Sequence, residues 1–515
     1  MTPVGQEPQA VDQAARSVSA QTAAGVLWLT VQKWVVRLSG FVTIAILTRF
    51  LSPEDFGTVA AATAVLPFFY LLADLGFTAY IVQADSTGRR LLSTGFWFSA
   101  LAGLLLCAAM VGIAPLVGVV FRADEVVPVL QVLALAVVLT AVSSVPTALL
   151  RRAMRFRALA IQGTIAAIAA QVVAITMVVT GFGVWALVGQ ALTALLVTSV
   201  LAWIAAAWHP SFAFSRADFS TMVRFGSQVL GVEFVAMCRA LAETAIISAT
   251  LGMTGLGYLN IAQRIVQIVQ DLTGAALLPV STVAFSRIRD GAERLRAAYV
   301  RALRMTYAIM SPPLIVVALA APLIIPIVFG DGWAESGRVA QILALAGIMV
   351  VGATLDHGLF YGLGQPGRWF VYALIIDVCT VATTAIMVRW GLDAIAWGFL
   401  VVAGLATTSR WCLVAKLLRA SPRTLSGPFG FLAAAVCAAG LAGWAVLMLT
   451  ADLPPLVRII LIGVAVLFVH LVVVRLLARQ VIAELSGYLP RIRADLLASL
   501  RVNRTRVLPT PKERS

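Results

Sequence analysis

The sequence predicts an all-α polytopic membrane protein with about fourteen transmembrane helices. Its mean hydropathy is +0.97, and 61% of its residues are hydrophobic whereas 12% are charged. This composition excludes a soluble globular domain. Apolar runs of roughly 20 residues, the length that crosses a bilayer as a helix, recur along the whole chain. An internal repeat then predicts that these helices form two lobes.

Each helix is predicted from one apolar run bounded by polar residues. Arginines are frequent in alternate loops, including those at Arg89 and Arg151, and are sparse in the loops between them. By the positive-inside rule, this alternation predicts an even number of spans with both termini in the cytoplasm. The predicted spans lie near 24–48, 56–82, 93–119, 126–147, 159–180, 183–206, 226–250, 255–281, 301–328, 338–361, 369–388, 394–416, 429–450 and 455–477.

The chain repeats itself at a nearly constant offset. Gly57 recurs as Gly257, and the segment that begins at Gln131 recurs at Gln341. Ordered matches of this kind predict duplicated units, and an even number of helices in each unit gives both units the same orientation, related by a pseudo-two-fold axis along the membrane normal. The predicted segments are a disordered cytoplasmic N-terminus (1–20), two six-helix lobes (21–210 and 211–420), an extra helix pair (421–478) and a basic cytoplasmic tail (479–515).

Composition also argues against several functions. The net charge of +15 lies in short loops and in the tail, so we expect a role in topology and no nucleic-acid binding. The five cysteines are dispersed without metal-site or redox spacing. The sequence contains no phosphate-binding GxxxxGK[ST] loop and no HExxH motif. We therefore expect neither an enzyme nor a cofactor or metal.

Charged residues inside the predicted spans are the candidate functional residues. A charge near the bilayer centre costs roughly 2.5–3.5 kcal/mol, so it needs a partner or water. Lys33 and Arg37 lie one turn apart in the first span, and Asp74 lies in the second. Arg239 and Glu243, also one turn apart, lie in the seventh span, where they can pair.

The eighth span carries a polar stripe along one side of an apolar helix. Its members are Asn260, Gln263, Arg264, Gln267, Gln270 and Asp271. The stripe predicts a water-filled central cavity lined by spans one, two, seven and eight, and the alternative is a set of buried pairs that only fix helix packing. The predicted cavity residues are Lys33, Arg37, Arg239, Asn260, Arg264 and Gln267 for an anionic, phosphate-bearing substrate, with Asp74, Glu243 and Asp271 as cavity or coupling-ion carboxylates.

Two further polar sites in the second half have two possible interpretations. Asp356 and His357 lie near the inner end of span ten, and Asp377 lies within span eleven. A proton-handling role is one interpretation, because His titrates near physiological pH. The other interpretation is structural: a helix-end cap, or a polar group that packs inside the protein with its hydrogen bonds satisfied.

Three segments resemble the Wzx-like polysaccharide-export flippases of the multidrug/oligosaccharidyl-lipid/polysaccharide exporter superfamily. They are LTRFLSPEDFGTVAAATAVLPFFYLLADLGFTAYIVQ, LGMTGLGYLNIAQRIVQI followed by LLPVSTVAFSRI, and FGDGWAESGRVAQILALAGI. The resemblance covers roughly residues 20–420. The two extra helices look more like those of the related lipid II flippase, which uses its extra pair as a groove for the lipid tail.

The resemblance implies a flippase in the bacterial cytoplasmic membrane that moves an undecaprenyl-diphosphate-linked oligosaccharide to the outer leaflet. It implies alternating access of two lobes, usually driven by an ion gradient, and a basic cavity that maps onto Lys33, Arg37, Arg239 and Arg264. Membrane lipids, a polysaccharide polymerase and glycosyltransferases are the partners it suggests.

Other classes stay open at this stage. A cation-coupled multidrug exporter of the same superfamily is expected to favour acidic groups in its lobes, whereas these spans carry a mixed and slightly basic set. A membrane glycan polymerase or ligase is expected to have a sizeable outer loop, and no predicted outer loop is long. A non-transporting scaffold leaves the polar stripe without a role.

Overall fold

The structure is a computed structural model in which every regular element is helical. It describes residues 32–84, 87–274, 285, 291–420 and 430–477, and no residue in these ranges lies in a β-strand. The predicted N-terminal segment and basic tail lie outside the described residues. The helices are α1 (32–47), α2 (Pro53–Asp74), α3 (Phe77–Gln83), α4 (Arg89–Phe121), α5 (Val126–Leu133), α6 (Leu135–Arg152), α7 (Phe156–Val179), α8 (Trp185–Ala206), α9 (Arg216–Gly274), α10 (Ala292–Phe329), α11 (Glu335–Val350), α12 (Ala353–Gly362), α13 (Pro366–Met387), α14 (Leu392–Leu417), α15 (Gly430–Leu449) and α16 (Pro455–Leu477).

The number of membrane-spanning helices agrees with the sequence prediction. Among the described residues, twelve helices are long and apolar enough to cross a membrane. One of them, Phe234–Asp271, breaks at Gly252, whose φ of 72° is left-handed, and so contains two predicted spans. The first predicted span is described only from residue 32 onward, as α1. The fold class, an all-α polytopic membrane protein, is therefore confirmed.

The loop before α2 forms where the sequence predicts a helix start. Ser52 is the N-cap, and its hydroxyl accepts a hydrogen bond from the Asp55 backbone N–H at 3.2 Å. The Asp55 carboxylate in turn accepts from the Ser52 N–H at 2.9 Å. This reciprocal capping box, with Pro53 in the first turn, fixes the direction in which α2 leaves the loop.

Residues with a positive backbone φ end or join helices at matching positions in the two halves of the chain. Four such residues of the first half have a counterpart in the second, close to the offset of the sequence repeat. The pairs are Arg122 with Gly330, Met154 with Gly364, Gly181 with Gly391, and Ala207 with Arg419. An internal duplication predicts such matched chain reversals, while the boundaries of the two lobes stay a prediction.

The two halves cross closely where α2 meets the second arm of α9. A Cβ atom on Gly57 would lie 1.8 Å from the Met253 carbonyl oxygen, and one on Gly257 would lie 1.8 Å from the Pro53 carbonyl oxygen. Positions 53 and 57 are matched by 253 and 257 in the repeat, so the contact is reciprocal. We call it the outer crossing, because the charge pattern of the sequence predicts that this end of the bundle is outside. Only glycine permits backbones to approach so closely.

Trp333 packs beside the outer crossing. It is fully buried in the short 3₁₀ turn between α10 and α11, and its indole N–H donates to the Thr48 carbonyl at 3.1 Å. The ring of Phe56 packs edge-on against the Trp333 ring, with the two ring centroids 5.1 Å apart. Trp333 thus joins the second half of the chain to the loop that precedes α2.

The extra helix pair packs on the second half. α15 and α16 contact each other and α10. A Cβ atom on Gly443 of α15 would lie 2.6 Å from side-chain atoms of Leu319 and Val466, and His470 of α16 lies 3.1 Å from the Ala308 carbonyl oxygen of α10. The pair therefore extends the second half.

Candidate functional site

The polar stripe lies on the second arm of α9 and forms three columns. Because successive residues are about 100° apart around a helix, each column faces a different direction. Arg264 and Asp271 form one edge, Asn260 and Gln267 the middle, and Gln263 and Gln270 the other edge. The charged residues Arg264 and Asp271 therefore face one direction, and the amides of Gln263 and Gln270 face another.

The charged edge faces α1, in the other half of the chain. The Arg37 guanidinium forms an ion pair with the Asp271 carboxylate, and both side chains are only partly buried. Arg264 lies close enough to Arg37 for their positive charges to repel each other. Lys33 lies on α1, exposed and one turn before Arg37, and is the third cation of this group. We call Lys33, Arg37, Arg264 and Asp271 the cationic cluster.

The amide edge lines a cavity of about 610 Å³ inside the second half. The sequence predicts one cavity between the halves, but this cavity is bounded by α9, α11, α13 and α14. Its volume lies within the range of small-molecule sites. Its polar lining residues are Arg239, Glu243, Thr244, Gln263, Gln267, Gln270 and Thr380.

Arg239 joins two carboxylates beside this cavity. It lies 2.7 Å from Glu243, one turn further along α9, and 2.9 Å from Asp377 of α13. The Arg239–Glu243 spacing predicts a pair, whereas the contact with Asp377 depends on tertiary structure. One guanidinium thus faces two carboxylates, of which Glu243 lines the cavity.

Asp74 occupies the junction between α2 and α3. Its carboxylate accepts hydrogen bonds from the Thr78 hydroxyl at 2.6 Å and from the Thr78 N–H at 3.3 Å. Leu75 and Gly76 have left-handed backbones at this junction, so the carboxylate caps the first turn of α3. The hydrogen-bond partner of the Asp74 carboxylate is therefore Thr78 of α3, in the same half of the chain.

A buried polar group lies deeper in the second half. The Arg410 guanidinium lies 2.5 Å from the Asp356 carboxylate, which also accepts a hydrogen bond from the Tyr299 hydroxyl at 2.5 Å. Asp356 and Arg410 are 0% and 1% exposed, so both side chains are shielded from solvent in this structure. Asp356 therefore has the geometry of a packing group, while the neighbouring His357 stacks against Tyr361.

Replacing Arg410 with leucine is expected to destabilise the protein by about 3–5 kcal/mol, because it leaves the Asp356 charge buried without its partner. The double change Arg410→Leu with Asp356→Asn should recover much of this loss. Thermal unfolding of the purified protein in detergent measures both. Equal stability of the single variant and the wild-type protein would contradict the assignment.

Arg410 and Trp333 are two residues that the sequence analysis did not single out. Arg410 is one cation in an apolar span and has no spacing motif, although any intramembrane charge signals a partner. Trp333 lies in the acidic segment between α10 and α11, where sequence gives no sign of its contact with Thr48.

Comparison with known proteins identifies the family. The sequence profile described as "Polysaccharide biosynthesis protein" matches residues 46–338, more than half of the chain. The chain is 28% identical over 372 residues to the succinoglycan biosynthesis transport protein ExoT of Rhizobium meliloti, covering 72% of this chain and 75% of ExoT. It is 23% identical to the lipopolysaccharide biosynthesis protein WzxC of Escherichia coli, covering 65% and 68% of the two chains.

Solved structures share the fold. The lipid II flippase MurJ in an inward closed conformation superposes with a TM-score of 0.72 at 14% identity, covering 88% of this chain and all of MurJ. An inward-facing multidrug resistance MATE family transporter gives a TM-score of 0.60 at 17% identity, covering 78% and 99%. The predicted resemblance to Wzx-like exporters is confirmed, and the chain belongs to the polysaccharide biosynthesis protein family of membrane transporters.

Proposed function

We propose that this protein moves an undecaprenyl-diphosphate-linked oligosaccharide across the bacterial cytoplasmic membrane by alternating access of its two halves. The observation that supports it most strongly is the cationic cluster, in which cations on α1 and α9 meet from opposite halves of the chain. ExoT is named as a succinoglycan biosynthesis transport protein and WzxC as a lipopolysaccharide biosynthesis protein.

The charge balance of the cluster favours a diphosphate. Lys33, Arg37 and Arg264 oppose one carboxylate, Asp271, so the cluster has excess positive charge within the membrane. A cation without a counter-charge within the membrane raises the free energy of the protein, and a bound anionic ligand lowers it again. Arginine guanidinium groups also bind phosphate oxygens in a bidentate geometry that neutral ligands cannot use.

The same cluster offers a route to ion coupling. Asp271 is paired with Arg37 in this structure. A diphosphate that binds Arg37 competes with Asp271, and the released carboxylate then has to take up a proton or another cation. Substrate binding and cation binding would thus be linked, and a gradient of that cation would drive transport.

Alternating access requires the halves to separate at one end at a time. The outer crossing and Trp333 hold them together at the predicted outer end. We propose that residues 21–210 and 211–420 move as two lobes about the cationic cluster, that both chain termini are cytoplasmic, and that a polymerase and glycosyltransferases act on either side of the transport step.

Reconstituted vesicles test this function. The purified protein is placed in vesicles with a dye-labelled undecaprenyl-diphosphate oligosaccharide, and an impermeant reductant is then added. We expect the reductant to bleach only outer-leaflet dye in protein-free vesicles and nearly all dye in vesicles with the protein. Export of a cationic drug dye without movement of the labelled lipid would contradict the proposal and favour a multidrug exporter.

A further inference from the structure

The cavity inside the second half lies on the edge of the stripe opposite the cations of the cationic cluster. Two of its glutamines, Gln263 and Gln267, are substantially exposed although they lie in the interior of a membrane-spanning helix. An exposed amide in such a position faces an open, polar space and not packed protein. The cavity is therefore suited to a ligand.

The lining of the cavity indicates the chemistry of that ligand. Amide groups both donate and accept hydrogen bonds, and the Glu243 carboxylate, paired with Arg239, supplies further acceptors. Phe399 and several aliphatic side chains complete the wall. Hydroxyl groups on an apolar ring, the chemistry of a sugar, match this combination of amides, a carboxylate and an aromatic side chain.

The two edges of the stripe are joined by Gln267. It lines the cavity, and it lies about 60° around the helix from Arg264 of the cationic cluster. A ligand that has a charged part and an uncharged hydroxylated part can therefore contact both edges of one helix at once. A glycan attached to a diphosphate has these two parts.

We propose that this cavity is a glycan subsite, which takes uncharged sugar units while the cationic cluster holds the diphosphate. The inference rests on the proposed function and assigns different parts of the substrate to the two edges of the stripe. It predicts that the amide residues govern preference for the glycan, whereas the arginines govern affinity for every lipid diphosphate.

Binding of two lipids to the protein in nanodiscs separates these roles. The probes are undecaprenyl diphosphate and the lipid-linked oligosaccharides extracted from cells that lack this protein. The variant Gln263→Leu with Gln267→Leu removes both amides, and Gln131→Leu is the control because Gln131 is exposed on α5, away from the cavity. Arg264→Gln tests the cationic cluster.

We expect the wild-type protein to bind the glycan-bearing lipid roughly tenfold more tightly than undecaprenyl diphosphate, as a few added hydrogen bonds allow. The double glutamine variant should lose most of that preference and keep its affinity for undecaprenyl diphosphate, while Arg264→Gln should bind both lipids more weakly. An unchanged preference in the glutamine variant, an equal loss for both lipids, or no preference in the wild-type protein would overturn the glycan subsite alone. Wild-type protein that binds neither lipid would contradict the proposed function itself.

Discussion

Replacing Arg264 with glutamine is expected to lower lipid translocation about 10- to 100-fold, because a charge-assisted hydrogen bond to the diphosphate, about 1.5–3 kcal/mol, is lost. Arg264 faces Arg37 across the two halves, and no other cation of α9 occupies this edge of the stripe within its described part. The bleaching assay with the labelled lipid measures the rate. Arg37→Gln should have a similar effect.

The control for this prediction is Arg338→Gln. Arg338 is an exposed arginine at the predicted outer end, paired with Glu335 and Asp393. Its loss removes one positive charge without changing the cationic cluster, and exposed pairs contribute little to stability. Equal rates for Arg264→Gln and Arg338→Gln, with both proteins folded, would show that charge in the cluster is unimportant for transport.

Replacing Gly257 with leucine is expected to prevent the outer crossing from forming. A Cβ atom there would overlap the Pro53 carbonyl oxygen, and because the obstacle is backbone, side-chain rotation cannot relieve the overlap. Overpacking costs about 1–3 kcal/mol even where side chains are free to adjust. We therefore expect the two halves to separate at the outer end, with Gly57→Leu acting in the same way.

A cysteine reporter measures this separation. In a background without native cysteines, Gln267→Cys should react with an impermeant thiol reagent from the outer side when Gly257→Leu is present. It should react far more slowly from that side when Gly257 is retained. Gly440→Leu is the matched control, because a Cβ atom on Gly440 meets no atom within 4 Å. An outer-side reactivity that is the same in Gly257→Leu and Gly440→Leu would refute a gating role for the outer crossing.

Local features of the fold could be predicted because sequence encodes them directly. The capping box at Ser52 and the Arg239–Glu243 pair depend on residues three or four positions apart. The match of Gly57 with Gly257 indicated the repeat, whereas the contact between the two glycine positions is seen only in the structure. Helical periodicity also indicated that the second arm of α9 carries a polar stripe.

Features that depend on neighbouring helices could not be predicted. Helical periodicity gives the angle between Gln263 and Arg264 around the helix axis, but it does not tell which helices each side chain faces. The division of the stripe between the cationic cluster and the second-half cavity is therefore seen only in the structure. The same holds for Asp377, whose partner Arg239 lies on another helix. Asp74 was predicted to line the cavity, and its hydrogen bonds to Thr78 arise from a chain reversal that its sequence does not reveal.

The most direct measurement of the central claim is the accessibility of position 267 in the intact transporter. A single cysteine there is probed from each side with an impermeant thiol reagent, with and without the undecaprenyl-diphosphate-linked oligosaccharide, and Val401→Cys on the exposed face of α14 is the control. We predict labelling at position 267 from the inner side, slowed by the glycan-bearing lipid, and none at position 401. A position 267 that stays unlabelled from both sides, or reacts at the same rate whether or not the lipid is bound, would contradict a substrate-filled cavity along α9.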